Sequence, residues 1–226
     1  MDIELHYEER GAGKAFVLLH GNGESSGYFS SQLEHFASDY RVIAVDTRGH
    51  GASPRGTAPF TLTRFADDLK AFLDGMGLKR VILLGFSDGG NIALIFALRY
   101  PEYVEKLVLN GVNLNPRGVR LKYQIPIVLG CAAVSVPAIF SKKAMRKKEL
   151  LELMVREPHI APESLSKLGM PVLVIAGDRD MIKTAHTQAI AGGIQGAVLR
   201  IIPGDHFIAA KESRAFNRTV QDFLKT

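Results

Sequence analysis

The sequence has 226 residues, of which 46% are apolar and 23% are charged, and its net charge is +5. This apolar content excludes a disordered chain, and the length suits one large domain or a domain with a modest insertion. The lone cysteine, Cys131, excludes an internal disulfide framework and is typical of proteins from a reducing compartment.

Two features argue against secretion and against a membrane span. The first ten residues, MDIELHYEER, are acidic and alternate in polarity, so we expect no signal peptide. The longest apolar stretch, 125–140, is interrupted by Pro126, Gly130 and Pro137, and it is shorter than the roughly 20 residues that a membrane helix needs. We therefore predict a cytoplasmic protein without a membrane partner.

A basic cluster at residues 142–148 holds five of the 28 Lys and Arg residues. Such clusters occur in proteins that bind nucleic acids or anionic membranes. No nucleic-acid-binding motif accompanies this one, and no aromatic residues interleave with it. We therefore predict a solvated helix face and no nucleic-acid partner.

Short runs rich in Val, Ile and Leu predict strands of a parallel sheet, because strands covered on both faces are continuously apolar. Residues 3–7 alternate instead, which predicts an edge strand that forms a hairpin through Gly11 and Gly13. The continuously apolar runs are 15–19, 41–45, 80–84, 106–109, 171–176 and 197–202.

Segments with helical periodicity lie between these runs. The strongest pattern covers 61–76, where Thr61 is a candidate N-cap. Strands that alternate with helices predict an α/β fold with an open, mostly parallel sheet and helices on both of its faces. The other predicted helices cover 91–100, 183–190 and 213–224.

The alternation of strands and helices stops between residues 113 and 166. Here prolines, apolar runs and the basic cluster follow one another without a strand signal. We predict a small helical insertion at 113–166, within an α/β core formed by 1–112 and 167–226.

The segment 81–98, VILLGFSDGGNIALIFAL, places Ser87 on a glycine-rich turn between a predicted strand and a predicted helix. A G-x-S-x-G sequence alone is weak evidence, but this strand–turn–helix context is typical of a serine nucleophile. Small residues two positions before and after the serine are needed, because a tight and strained turn leaves no room for larger ones. We therefore predict that Ser87 is a nucleophile.

A serine hydroxyl becomes a good nucleophile only when a base takes its proton. Among the seven histidines, His206 follows the last predicted strand, and Ser87 follows an earlier one. Because the carboxyl ends of parallel strands meet at one edge of a sheet, both residues are expected at that edge. His206 is therefore the candidate base.

The imidazole in turn needs a carboxylate that fixes its tautomer and stabilises its charged form. Asp178 and Asp180 both follow the predicted strand 171–176, and Asp205 adjoins the histidine. Asp205 is disfavoured because adjacent side chains diverge. The residues alone leave Asp178 and Asp180 open, with Asp180 preferred and Asp178 expected to bind backbone amides of the turn.

The loop after the run 15–19 reads HGNG, with Asn22 between two glycines. Those glycines allow the Asn22 N–H to turn inward, where it would pair with the N–H of Asp88 at the start of the following helix. We predict that these two backbone N–H groups form an oxyanion hole.

Taken together, these motifs resemble those of the α/β-hydrolase family, and the resemblance covers nearly the full chain. The order Ser, Asp, His along the sequence also matches this family. GFSDGG in particular is similar to valacyclovir hydrolase-like members. The motifs are HGNG at 20–23, DTRGHGAS at 46–53, GFSDGG at 85–90, GDRD at 177–180 and GDH at 204–206.

The resemblance implies a sheet of about eight strands with a cap inserted after the sixth, and residues 113–166 would form this cap. It implies Asp180 as the acid, and the segment NGVNLN contains no carboxylate that could replace it. Four further residues are implied to shape loops rather than to take part in the chemistry: His20, Asp46, Arg48 and His50.

Asp88, directly after the predicted nucleophile, has two interpretations. Its carboxylate either holds the amine of a cationic substrate, as the resemblance to valacyclovir hydrolase-like members suggests, or only complements the dipole of the helix that follows. The second interpretation is the preferred one. The chain could also form apolar walls of a substrate site; candidates are Phe86, Met181, Ile182 and Phe207, and the segments IPIVLG and VSVPAIF either line an acyl pocket or seal the cap against the sheet.

We predict a serine hydrolase that cleaves small carboxylic esters through an acyl-enzyme, without a metal or another cofactor. The alternatives with the same triad are a C–C bond hydrolase, a thioesterase, and a protein that keeps the triad but only binds a ligand, because fold alone does not determine function.

Overall fold

The computed structural model describes residues 2–226. One sheet of seven strands runs through it in the order β1-β3-β2-β4-β5-β6-β7. Every neighbouring pair is parallel except β1 and β3. The strands are β1 (Tyr7–Arg10), β2 (Ala15–Leu19), β3 (Arg41–Val45), β4 (Val81–Phe86), β5 (Val104–Asn110), β6 (Val172–Gly177) and β7 (Val198–Ile202).

The predicted α/β fold with a mostly parallel sheet is confirmed, although the described sheet has seven strands and not about eight. The predicted hairpin of the first strand is wrong. Tyr7 lies opposite Val45, so β1 pairs with β3, and β2 pairs with β3 and β4 on its two sides. Alternating polarity indicates that a strand lies at the edge of a sheet, but it does not indicate which strand is its neighbour.

Eight α-helices accompany the sheet in the described residues. The side chain of Thr61 accepts a hydrogen bond from the N–H of Arg64, as expected of an N-cap. The third helix begins at Asp88, immediately after the predicted nucleophile. The helices are α1 (Ser30–Phe36), α2 (Leu62–Gly75), α3 (Asp88–Arg99), α4 (Leu121–Ser135), α5 (Lys142–Arg156), α6 (Thr184–Gly193), α7 (Ile208–Lys211) and α8 (Ser213–Leu224).

Alternate residues of the central strands feed two separate cores. Val17 and Leu19 belong to the core beneath α2, α3 and α6, whereas Phe16 and Leu18 belong to the core beneath α1, α7 and α8. All four are at most 1% exposed. Because successive strand residues point to opposite faces, a run without polar residues requires helices on both faces, and the structure has them.

The insertion 113–166 follows β5, the fifth strand of this sheet, and consists mainly of α4 and α5. Four of its apolar residues, Leu114, Leu153, Ile160 and Leu165, are buried in the core beneath α2, α3 and α6. Polar contacts add to this packing, among them an ion pair between Arg55 and Glu149 at 2.6 Å and a hydrogen bond from the Leu62 N–H to Glu157 Oε2 at 2.8 Å. Helix α4 has no buried residue, so the segment IPIVLG does not seal the insertion against the sheet. That 113–166 act as a cap remains a prediction.

Within residues 2–226, no helix combines the length and the apolar character that crossing a bilayer would require.

A buried ion pair holds the loop after β3 against α2. Arg48 is fully buried, and its guanidinium donates to both carboxylate oxygens of Asp68 at 2.6 and 2.8 Å. Asp2 accepts two further hydrogen bonds from the same guanidinium. These contacts raise the pKa of Arg48 further above its already high value.

We predict that Asp68→Ala lowers the free energy of unfolding by about 3 kcal/mol, because it leaves a buried guanidinium without its main partner. The neighbouring Asp67→Ala is the matched control, since Asp67 is half-exposed and pairs with Arg99 at the surface. Its cost is expected to stay below about 1 kcal/mol. Urea unfolding of both variants measures the difference, and equal losses would contradict this account of the pair.

Candidate active site

Ser87 lies on the turn between β4 and α3 in a strained conformation. Its φ of 53° is positive, and no other non-glycine residue within 2–226 has this property. A Cβ added at Gly85 would collide with the backbone of Gly89, and one added at Gly89 would collide with the carbonyl of Leu19. The glycines at both positions are thus required for the turn to pack against the sheet.

The structure brings the three predicted triad residues together. His206 Nε2 lies 2.9 Å from Ser87 Oγ, and His206 Nδ1 lies 2.7 Å from Asp180 Oδ1. His206 and Asp180 are 5% and 2% exposed, whereas Ser87 is partly accessible. If Nδ1–H donates to the carboxylate, Nε2 is left as an acceptor that faces the serine hydroxyl.

The alternative carboxylates make other contacts. Asp178 Oδ1 accepts a hydrogen bond from the Gly204 N–H at 2.9 Å, so it binds a backbone amide of the loop after β7 and not one of its own turn as predicted. Asp205 Oδ1 accepts from the Phe207 N–H at 2.8 Å, and its other oxygen pairs with Lys211. Neither carboxylate contacts the imidazole, so Asp180 alone of the three candidates does.

Two residues that adjoin His206 or Asp180 directly were missed by the sequence analysis. A Cβ added at Gly111, which has a φ of +63°, would lie 2.8 Å from His206 Cε1. Arg120 donates from Nε to the carbonyl of Asp180 at 2.9 Å. Gly111 could have been noticed as a glycine directly after β5, at the same edge of the sheet; nothing in the sequence points to Arg120.

The two predicted oxyanion-hole residues lie at the same edge. Asn22 is on a tight turn closed by a hydrogen bond from the Glu24 N–H to the Gly21 carbonyl at 3.3 Å. A Cβ at Gly21 would lie 3.3 Å from Ser87 Cβ, so this turn approaches the serine closely. Asp88 is the first residue of α3, where N–H groups lack helical acceptors.

Buried histidines hold the loops around this turn. His20 Nδ1 bonds the Gly21 carbonyl at 2.7 Å, and its Nε2 accepts from the Thr47 N–H at 3.1 Å. Burial lowers the pKa of His20, and it lowers that of His50 to about 4, so both are neutral near pH 7. The contacts of His20 agree with the expectation that it shapes loops.

Asp46 also serves the loops. Its carboxylate accepts hydrogen bonds from the N–H groups of Ser26 and Ala52, at 2.6 and 2.9 Å, and contacts His6 Nδ1 at 2.8 Å. Asp46 thus connects the loop after β3 to the segment that follows β2, whereas Arg48 connects the same loop to α2 and to Asp2.

The carboxyl group of Asp88 is poorly satisfied. Oδ1 lies 3.4 Å from the Asn91 side-chain amide, and Oδ2 is buried with no partner in the described residues. Burial raises the pKa of Asp88 to about 6. An unpartnered buried oxygen is compatible with an amine-binding role, while the position at the start of α3 suits the dipole role, so both interpretations stay open.

Glu24 is a second acid near the cluster; its side chain is partly accessible, but one of its carboxyl oxygens is buried. Its Oε2 has no partner in the described residues, and burial raises its pKa to about 7. His206 is close enough to oppose that shift electrostatically. The candidate site therefore contains two carboxyl groups that burial biases toward their neutral forms.

The four predicted wall residues differ in exposure. Phe86 and Ile182 are 1% and 2% exposed, and the ring of Phe86 packs 4.9 Å from the imidazole of His206. Phe207 is 39% exposed and Met181 is partly accessible. In this conformation only the latter two offer surface to a ligand.

Within the described part of the chain, no group of three or more His, Cys, Asp or Glu side chains is placed to hold a metal ion.

Comparisons with known proteins identify the family. Residues 14–126 match the alpha/beta hydrolase fold family. A human serine hydrolase, BPHL, is 29% identical over 99% of this chain and 84% of its own. A 2-hydroxy-6-oxononadienedioate/2-hydroxy-6-oxononatrienedioate hydrolase from Paraburkholderia xenovorans is 29% identical over 99% of this chain and 91% of its own. The crystal structure of a hydrolase from Pseudomonas aeruginosa superposes with a TM-score of 0.81 at 26% identity, covering 99% of this chain and 95% of that one.

The chain belongs to the α/β-hydrolase fold family. Hydrolysis of small molecules is the class of activity that these relatives support for it.

We predict that Gly111→Ala slows the labelling of Ser87 by a fluorophosphonate probe about a hundredfold, because the added methyl group displaces the imidazole of His206. Gly77→Ala is the matched control: Gly77 has a similar φ of +69°, but a Cβ there meets nothing within 4 Å. The labelling rate of the control should be unchanged. Equal rates for both variants would show that the contact with Gly111 does not hold the ring.

A second prediction concerns pH and Glu24. Its pKa in the folded protein, about 7, lies above the ordinary 4.5, so the native state favours the neutral acid. The neutral Glu24 makes its full contribution to the free energy of unfolding below about pH 4.5. That contribution is lost as pH rises through about 7. We expect Glu24→Gln to be about 1–2 kcal/mol more stable than the parent at pH 8, and to show no such advantage at pH 4.

Urea unfolding at both pH values measures this difference. Glu34→Gln provides the control, since Glu34 is an exposed glutamate at the surface. A Glu24→Gln advantage that is the same at pH 4 and pH 8 would contradict titration as its cause.

Proposed function

We propose that the protein is a serine hydrolase that cleaves small carboxylic esters through an acyl-enzyme. The observation that carries this proposal is the hydrogen-bonded chain from Ser87 through His206 to Asp180, with distances of 2.9 and 2.7 Å. A hydroxyl, a base and an orienting acid in this order are the parts that acyl transfer requires.

In the first step, Ser87 Oγ attacks the ester carbonyl carbon while His206 Nε2 takes the hydroxyl proton. A bond forms between Oγ and the carbonyl carbon, and the carbonyl oxygen becomes an oxyanion. The charge that develops on the imidazole is stabilised by Asp180, which lies at Nδ1. The N–H groups of Asn22 and Asp88 donate to the oxyanion, aided by the positive end of the α3 dipole.

In the second step, the oxyanion collapses and the bond to the leaving alkoxide breaks. His206 returns its proton to that oxygen, so an alcohol departs and the acyl group stays on Ser87. Water then attacks the acyl-enzyme by the same sequence, with His206 as its base, and releases the carboxylic acid. The steps use no metal and no organic cofactor.

The surroundings of the serine suit a small substrate. Phe207 and Met181 provide accessible apolar surface beside the base and the acid. The insertion 113–166 would act as the cap over this edge, because the side-chain amide of Asn22 donates to the Leu150 carbonyl of α5 at 2.7 Å.

Hydrolysis of a C–C bond by the same residues is the second candidate. It is supported by the Paraburkholderia relative, whose named substrate is a keto diacid without an ester group. In that reaction too, a serine–histidine pair would be needed at a carbonyl carbon, so the geometry around Ser87 fits both chemistries. A thioesterase would have the same triad geometry as the ester hydrolase. The same is true of a protein that binds a ligand without turnover.

A substrate panel discriminates among these reactions. Short p-nitrophenyl esters, an acyl-CoA and a vinylogous diketone are offered in parallel, and the proposal expects hydrolysis of the esters with the highest kcat/KM. An aminoacyl ester and its des-amino analogue belong to the panel because of the unpartnered Oδ2 of Asp88. A preference for the amine that disappears in Asp88→Asn would assign amine recognition to that carboxylate.

We predict that Ser87→Ala reduces kcat for the preferred ester by at least about a thousandfold, because only the attacking oxygen is removed. The parent should be labelled once per chain by a fluorophosphonate, and the variant should not be labelled. A folded Ser87→Ala protein that retains the parental kcat would refute the assignment of Ser87 as the nucleophile. Labelling of the parent without turnover of any panel member would favour the ligand-binding alternative.

A further inference from the structure

The insertion carries an unusual concentration of exposed apolar side chains. Twelve large hydrophobic residues are exposed within 2–226, and nine of them lie between residues 121 and 145. Proteins without a binding partner rarely expose apolar patches of this extent. The nine residues are Leu121, Tyr123, Ile125, Val128, Leu129, Val136, Ile139, Phe140 and Met145.

These side chains belong to a hairpin of two antiparallel helices. The Gln124 side-chain amide donates to the Met154 carbonyl at 3.4 Å, and a Cβ at Gly130 would lie 3.7 Å from Leu151 Cδ1, so α5 returns along α4. The connection between the helices, residues 136–141, forms the hairpin tip. Phe140 and Ile139 in this tip are 85% and 72% exposed, more than any other large hydrophobic residue in the described chain.

A set of cations adjoins the hairpin tip. The residues from 123 to 141 include no charged side chain, and the first turns of α5 then supply four exposed cations. None of the four pairs with a carboxylate in the described residues. The acidic residues of α5 are occupied elsewhere, Glu149 by Arg55 and Glu152 by Lys148 and Arg156. The four cations are Lys142, Lys143, Arg146 and Lys147.

We propose that the hairpin tip docks on the surface of an anionic phospholipid membrane. Aromatic and aliphatic side chains that project beyond a set of cations match a lipid surface, where the apolar groups enter the headgroup region and the cations face anionic headgroups. This contact differs from a membrane span, which no helix of the described residues can form. The proposal does not depend on the reaction at Ser87.

The charges and the apolar side chains of the hairpin tip argue against two other occupants. A second copy that paired through the same tip would bring four unpaired cations against four others, with no free carboxylate on α5 to compensate. A nucleic acid would contact the cations but would leave Ile139 and Phe140 exposed to water. An anionic bilayer accepts both kinds of side chain at once.

Co-sedimentation with lipid vesicles tests the proposal. Vesicles of phosphatidylcholine alone are compared with vesicles that also contain phosphatidylserine. We expect the full-length protein to bind the anionic vesicles at least about tenfold more strongly, and to be released as salt concentration rises. A parent protein that binds neither kind of vesicle would overturn the proposal and support the sequence-based prediction of no membrane partner.

Two variants separate the contributions. Ile139→Ser with Phe140→Ser should abolish most binding to the anionic vesicles, and the fourfold change of Lys142, Lys143, Arg146 and Lys147 to Gln should abolish the preference for them. All six positions are exposed, so both variants are expected to keep the thermal stability of the parent, which a melting curve checks.

Matched controls change the same residue types elsewhere. Ile201→Ser removes an exposed aliphatic side chain from β7, and the change of Lys79, Arg80, Arg218 and Lys225 to Gln removes four exposed charges outside the hairpin. Both controls should bind as the parent does. An equal loss of vesicle binding in the fourfold control would show that only net charge matters and would overturn the proposal. Self-association that depends on Ile139 and Phe140, in a protein that does not bind lipid, would also overturn it.

Discussion

The contact between His206 and Asp180 depends on two loops that are pressed together at the carboxyl edge of β6 and β7. The Asp178 N–H donates to the Ile202 carbonyl and the Arg179 N–H to the Gly204 carbonyl, both at 2.9 Å. A Cβ at Gly177 would collide with the backbone of the other loop. Without this close approach the imidazole would lose the carboxylate that orients it, and the contact with Ser87 would have no fixed direction.

Much of this arrangement could be predicted from the sequence, because its causes are local. Continuous apolar runs indicate strands buried on both faces, and parallel strands bring the residues that follow them to one edge, which is why Ser87, Asp180 and His206 could be expected to meet. Contacts between segments that are distant in the sequence could not be predicted in this way. Whether Asp178 or Asp180 faces the imidazole depends on the opposite loop, and the partner of β1 depends on which neighbour β2 accepts on each side.

The apolar segments of α4 show a different limit. A sequence of this composition is ordinarily buried, because removing apolar surface from water is favourable. In the structure α4 packs on α5 and not on the sheet, so its outer surface remains exposed. Composition predicts that a side chain prefers an apolar environment, but only the fold shows whether the protein itself provides that environment.

Arg120 connects two parts of the molecule that are otherwise described separately. It precedes α4 directly, and its guanidinium donates both to the Asp180 carbonyl and to Thr184 Oγ1. Asn22 makes a similar connection between the serine edge and α5. Any displacement of the two-helix insertion must therefore break or rearrange these bonds, so its position and the geometry around the imidazole are thermodynamically linked. By reciprocity, a molecule that binds one arrangement of the insertion more tightly also favours the matching arrangement around the imidazole.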